Sequence, residues 1–402
     1  MFKFKGFQFD SVSWTKLNIR LRKQTRFLVI LFLEIAAFVK CVPLELKSYE
    51  NLRLKLFGNR WKLLWYLVNF IVCFQWSFVT LNFKSSLERS WATSNEPALH
   101  LLYFAMYSFS LILFINMYFR NEEFVVIVNH FEDFKVAAAD WGLKLKDGYS
   151  NPVTILAVHY FVAIAVGIYS VALGLFLFNY ESYIYIFSWL PKELKQNNLI
   201  FLCFFLYEAY VYLCFGSIFA VYFFICLCTL FPIMSVMATL RTLGWRRFRI
   251  LKMYILLQLL MCGLNDFLAE IFMPMYCFMV VAAPVSCLYI SLTLFGCMDM
   301  FLYLLFPSAA LFWIALIFIL DLLASTITNR GKLLLSELKI YHDDMTNFEG
   351  LVEKMQSVYI QKRRVALRDI MLKISFFGHV TIGTINSKMN EMCNYLLLLL
   401  SF

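Results

Sequence analysis

Charge is scarce in this 402-residue chain. Asp, Glu, Lys and Arg make up 15% of it, against about a quarter in ordinary globular domains. Recognisable catalytic signatures are missing too. There is no G-x-x-x-x-G-K-[ST] phosphate loop, no G-x-S-x-G nucleophile elbow and no H-E-x-x-H zinc motif. The 11 cysteines include no pair with zinc-ligand spacing and a histidine partner. Cys73, Cys203, Cys214, Cys226, Cys228, Cys277 and Cys287 instead sit inside apolar runs, where a thiol behaves as a small hydrophobe. The histidines, His100, His130, His159, His342 and His379, are scattered. No metal, no cofactor and no enzymatic activity are expected. The N-x-S/T sequon does not occur, so glycosylation says nothing about sidedness. Internal repeats are absent, and Pro232, Pro274, Pro284 and Pro307 are not symmetrically placed, unlike the paired broken helices of many secondary transporters.

What is abundant is apolar surface. The chain is 62% hydrophobic with a mean hydropathy of +0.71, so lipid rather than water is the expected solvent. A helix needs about 20 apolar residues to cross the hydrocarbon core. Seven segments qualify, at about 61–82, 99–119, 153–180, 199–231, 264–293, 297–324 and 375–402. A shorter apolar run at 27–39, interrupted by Glu34, is read as an interfacial or re-entrant helix. The net charge of +10 is then a matter of topology, with no nucleic-acid partner implied. Counting Lys and Arg outside the spans, 30 fall in the segment 1–60 and the loops 120–152, 232–263 and 325–374, and 4 fall in the alternate loops. The positive-inside rule therefore predicts a cytoplasmic N-terminus and an extracellular C-terminus. Heptahelical receptors coupled to G proteins have the opposite sense. Their D-R-Y after the third span and N-P-x-x-Y in the seventh are also missing.

The last predicted span is amphipathic. At 3.6 residues per turn, Thr384, Ser387, Glu391, Asn394, Leu398 and Ser401 share one face. Ile382, Ile385, Met389, Met392, Leu396 and Leu399 occupy the other. A polar stripe is costly against lipid, so it must face protein or water. Two arrangements satisfy it: a helix–helix seam with hydrogen bonds across it, or a water-lined pore built from several copies of this helix. In the pore, Leu398 would be a dry constriction between rings of Asn394 and Ser401, and Glu391 an acidic ring that favours cations. Lys388 stands at i, i+3 to Glu391 and can pair with it.

The chain closes on "NYLLLLLSF". This resembles the T-Y-h-h-h-h-h-Q-F signature, h being hydrophobic, that ends the seventh helix in arthropod gustatory receptors of the seven-transmembrane gustatory/odorant chemoreceptor superfamily. Tyr395, the five hydrophobics and Phe402 agree, whereas Asn394 stands for Thr and Ser401 for Gln. The resemblance implies a tetrameric, ligand-gated, non-selective cation channel of the plasma membrane. Each subunit would contribute its last helix to a central pore, with Leu397 or Leu398 as gate and Ser401 lining the pore. It also implies small-molecule tastants or odorants as ligands, further copies or related receptor subunits as partners, and a sensory neuron as the setting. The ligand pocket would open from outside among the second to sixth helices. Outer-half residues there are His100, Tyr103 and Tyr107; Tyr169 and Phe176; Tyr207, Glu208 and Tyr212; and Tyr289, Asp299 and Tyr303. Aromatic walls with a few polar groups suit small organic molecules. Glu208, an ionisable group inside a span, is the foremost candidate. Ionised, it would favour a basic ligand; neutral, it would not.

The sequence thus predicts an all-α membrane protein of seven transmembrane helices with inverted topology. Residues 1–60 form a cytoplasmic segment with an interfacial helix, 61–324 a six-helix ligand-binding bundle, 325–374 a cytoplasmic helical loop for assembly, and 375–402 the pore helix. An odorant-receptor subunit that needs a co-receptor and a secondary transporter are the alternative readings. Helix-period Leu, Ile and Val in 331–372, with a break at Asp344 and Thr346, suit packing between subunits. The basic run 361–368 suits anionic lipid headgroups.

Overall fold

The computed structural model describes residues 11–48, 53–89, 96–140, 152–178, 180–182, 184–243, 248–269, 272–293, 300–345 and 382–400. Ten helices carry these residues, apart from one small hairpin and a 3-10 turn at Ile186–Trp189. They are α1 (Ser11–Phe38), α2 (Asn59–Arg89), α3 (Glu96–Asp140), α4 (Pro152–Phe178), α5 (Lys192–Lys195), α6 (Asn198–Leu243), α7 (Phe248–Ala269), α8 (Phe272–Thr293), α9 (Met300–Met345) and α10 (Ile382–Leu400). Strands β1 (Leu44–Ser48) and β2 (Arg53–Leu56) pair antiparallel between α1 and α2. Six helices among the described residues are long and apolar enough to cross a membrane: α2, α3, α4, α6, α8 and α9. At 19 residues α10 reaches about 28 Å, which is long enough to span. Its polar stripe lowers its hydropathy below theirs.

Periodicity explains which side of each helix is covered. On α2 Trp65, Val68, Val72, Gln75, Val79, Asn82 and Ser86 are buried at alternating steps of three and four, and Phe78 is buried beside them. That spacing makes one seam of the left-handed kind. Leu63, Leu67, Phe70, Phe74 and Leu81 point outward. In lipid, outward apolar residues cost nothing, and association rests on packing and on polar contacts across the seam. One such contact pins α2 to α3, where Trp76 Nε1 donates to Ser108 Oγ at 2.9 Å. The centre of the bundle is α6, which packs on α1, α3, α4 and α9. Around it Phe161, Phe219, Phe223 and Phe312 stack and cross at ring-centroid separations of 4.5–6.3 Å.

Four helices outrun the apolar segments read from the sequence. α3 continues past residue 119 to Asp140, α6 past 231 to Leu243, and α9 past 324 to Met345. At 46 residues α6 and α9 are each about 69 Å long, more than twice the hydrocarbon thickness. α1 begins at Ser11, well before the apolar run at 27–39. In α3 and α9 the continuation has charged residues; in α6 it stays apolar as far as Arg241. The junction in α3 is marked by Arg120, whose φ/ψ of −126°/26° is non-helical. Its guanidinium donates to the Asp266 carbonyl on α7. The fifth span is also revised. α7 ends at Ala269, and the membrane-length helix is Phe272–Thr293, eight residues later than the expected start at 264. Pro274 lies in the first turn of α8, where a missing N–H is harmless.

The hairpin was not foreseen. Lys55 faces Glu45 across the strands at 2.9 Å. Asn129 on α3 clamps β2 by donating Nδ2 to the Leu54 carbonyl and accepting the Leu54 N–H at Oδ1, both at 2.9 Å. Arg53 pairs with Asp133 one turn further along α3. Upstream, Lys40 adopts a left-handed φ of 59° just after α1 and lays its ammonium over the rings of Phe57 and Trp61. The Val39 carbonyl at the end of α1 accepts the Tyr210 hydroxyl at 2.8 Å. In this way 39–57 ties α1 to α3 and α6.

Candidate functional site

α10 packs on α8 and α9 through one face only. Ile385, Lys388 and Met392 are buried, and Met389 and Leu396 are half-buried. Ser387, Glu391 and Asn394 are exposed, as are Tyr395, Leu397 and Leu398; Thr384 is half-buried. Ser387 Oγ donates to Glu391 Oε1 at 3.1 Å, one turn apart on the outward stripe. The stripe expected from periodicity is thus brought to the surface of the chain, and the opposite apolar face is the packed one. Ser401 and Phe402 lie outside the described residues, as does the stretch 346–381 that holds Thr346 and the basic run.

Lys388 does not pair with Glu391. It turns the other way and donates Nζ to Asp321 Oδ2 on α9 at 2.6 Å, with both side chains at 6% exposure or less. Its ammonium also lies 4.8 Å from the centre of the Tyr276 ring on α8. A buried ammonium needs a counter-charge and excellent geometry to be tolerated, and Asp321 supplies both. The glutamate on the stripe, Glu391, is therefore not paired with Lys388. Asp321 is a buried charged residue outside the candidates read from the sequence. The signal was available: it is an acidic residue within three positions of the end of an apolar run, where ionisable groups mark function or pairing.

A second constellation lies among α2, α3, α6 and the loop before α5. His100, Tyr103 and Tyr107 follow steps of three and four on α3, and all are buried. Glu208 and Tyr212 stand one turn apart on α6. Tyr103 shares hydroxyl contacts of 3.4 Å with both Tyr185 and Tyr212. The Tyr107 ring stacks on Tyr212 at 6.5 Å and meets Phe215 at 4.4 Å. Tyr207 donates to Gln75 Oε1 on α2 at 3.0 Å. Glu208 is fully buried, and neither of its carboxylate oxygens has a hydrogen-bond partner; the Tyr107 hydroxyl has none either. Phe176 joins through Tyr185, its ring 4.9 Å away. Tyr169 lies at the α4–α6 seam and donates to the Ala209 carbonyl at 3.3 Å. Tyr289 and Tyr303 are half-buried on α8 and α9. Asp299 lies outside the described residues.

Two members were not anticipated. Gln75 is a polar residue at a seam position of α2. Tyr185 comes from a segment read as an open loop, yet Tyr185 and Phe187 are fully buried. Phe187 is enclosed by Phe176, Tyr180, Phe201 and Phe204. The aromatic density of "YESYIYIFSWLP" was the available sign that this loop folds inward. Among the described residues no group of His, Cys, Asp and Glu could hold a metal ion.

No protein-family model and no curated protein matches the sequence. Solved structures do match. The chain is similar to the insect olfactory receptor OR5 from Machilis hrabei, with a TM-score of 0.61 at 13% identity over 95% of this chain and 99% of that one. Against the same receptor in complex with eugenol the TM-score is 0.65 at 12% identity, over 96% and 99%. At such low identity the likeness is one of fold: this is a nearly all-helical membrane protein with the fold of an insect olfactory receptor.

Proposed function

We propose that this chain is a chemosensory receptor subunit that acts as a ligand-gated cation channel, with α10 lining the pore. The observation that carries this reading is the two-faced α10. Its apolar face and Lys388 are held against α8 and α9, while Ser387, Glu391 and Asn394 are exposed on a helix of membrane-spanning length. A single chain in a bilayer would present those groups to lipid, at a cost of several kcal/mol per ionised group. Copies arranged around an axis remove that cost by enclosing water. Leu397 and Leu398 follow as the dewetting gate, and Glu391 as a ring attracting cations. Four subunits, a cytoplasmic N-terminus, an extracellular C-terminus and a plasma-membrane site in a sensory neuron complete the reading. The aromatic enclosure around Glu208 is its ligand site. The similarity to a receptor solved with eugenol supports a small organic ligand.

The gustatory type is favoured by the terminal Tyr395-to-Phe402 pattern. The odorant type, with a separate co-receptor subunit, is the second reading; its support is the likeness in fold to an olfactory receptor. Recording from cells expressing this chain alone separates them: current without any other subunit supports the self-sufficient receptor. Glu391→Gln tests the pore itself. Removing one carboxylate per subunit from a narrow aqueous path should lower cation conductance by a factor of about two or more and shift the reversal potential under a cation gradient. Unchanged conductance and reversal potential would mean that the stripe is a seam between helices.

A further inference from the structure

Glu208 lies ten residues into α6, about 15 Å from the start of that helix. It is fully buried, yet both carboxylate oxygens lack hydrogen-bond partners. The groups around it are Gln75, Tyr103, Tyr107, Tyr185, Tyr207 and Tyr212, all of them uncharged. No described lysine or arginine forms an ion pair with it. The contrast with Asp321 is direct, because that buried carboxylate has its lysine at 2.6 Å. The neighbours of Glu208 do not complete it either. Tyr207 gives its hydroxyl proton to the Gln75 carbonyl oxygen and Tyr103 is engaged with Tyr185 and Tyr212, which leaves the Gln75 amide group as the nearby donor. What remains is an acceptor pair beside the Tyr107 hydroxyl and the stacked rings of Tyr107 and Tyr212. Such an arrangement matches one ligand class. A protonated amine supplies N–H donors and a counter-charge to the carboxylate, while aromatic faces attract the ammonium through their quadrupoles. A neutral ligand would leave the acceptor pair without a counter-charge.

We infer that the enclosure around Glu208 selects small aromatic or aliphatic amines in their protonated form. This rests on the reading of the enclosure as the ligand site. The test uses the purified full-length chain in lipid nanodiscs and follows thermal unfolding with 2-phenylethylamine, tryptamine and the isosteric 2-phenylethanol. Both amines should stabilise the wild type in a concentration-dependent manner and bind at least about tenfold more tightly than the alcohol. Glu208→Gln, which keeps shape and removes charge, should erase that preference by weakening the amines and sparing the alcohol. If Glu208→Gln fails to fold, the wild-type ratio decides alone. Equal or weaker binding of both amines relative to the alcohol, or amine binding that survives Glu208→Gln unchanged, overturns the inference. Failure of the channel reading would register elsewhere, as silence of a Leu398→Ser pore, and leaves these binding results legible.

Discussion

Leu398→Ser should produce a cation current in the absence of any ligand. Leu398 lies on the exposed face of α10, four residues beyond Asn394 and within a run of five leucines. Copies of that side chain brought to an axis form a ring too apolar to stay wet, and an unwetted constriction blocks ions without a steric plug. A hydroxymethyl group removes several carbons from each copy and gives water a hydrogen-bonding partner. Shifting the closed–open balance by about 1.4 kcal/mol already raises the open fraction about tenfold. Four simultaneous substitutions should exceed that. Whole-cell recording, wild type beside Leu398→Ser at matched surface expression, measures it. Silence in the variant would remove Leu398 from the gate. Leu398 is more than half exposed and lies off the inward face, which consists of Ile385, Lys388, Met392 and their half-buried neighbours, so matched surface expression is the control for folding.

Lys388→Met should be the most damaging single change to α10. It leaves Asp321 at 2% side-chain exposure with no cation beside it. Breaking a buried pair from one side costs about 3–5 kcal/mol, a large share of the stability of most domains. Surface expression and the unfolding temperature in detergent should both fall sharply. Removing the second charge as well, in Lys388→Met with Asp321→Leu, should recover most of the loss, because a well-packed apolar pair replaces an orphaned ion. The double variant should fold while holding α10 less firmly in rotation, since direction-specific contacts to α9 and Tyr276 are gone. If the single variant expresses and melts like the wild type, the pair contributes nothing to the bundle.

Much of this architecture is legible in the chain itself. The spans are long and apolar, and hydropathy needs no tertiary information to find them. The two faces of α10 could be read for the same reason, because polar and apolar residues separate cleanly at helical spacing from Thr384 to Leu398. Three features escaped. Helix continuation beyond the membrane, as in α3 and α9, leaves only an amphipathic trace that resembles a loop when charges are counted. The 44–56 hairpin is set by partners distant in sequence, chiefly Asn129 and Asp133. The Lys388–Asp321 pair joins residues 67 positions apart, whereas local spacing pointed Lys388 to Glu391. Of the ligand-site candidates, Tyr103, Tyr107, Tyr207, Glu208 and Tyr212 converge because they follow helical steps on two neighbouring helices.

The central claim is that the outward face of α10 lines an aqueous path between subunits. Cysteine accessibility tests it most directly. In a Leu398→Ser background with Cys393→Ser, a cysteine is placed either at Asn394 on the exposed stripe or at Met389 toward the packed side. A positively charged, thiol-specific reagent is then applied while current is recorded. The account predicts rapid, irreversible block at position 394 and none at 389. Block at 389 with indifference at 394, or no reaction at either while current flows, would contradict it and place the ion path elsewhere in the molecule.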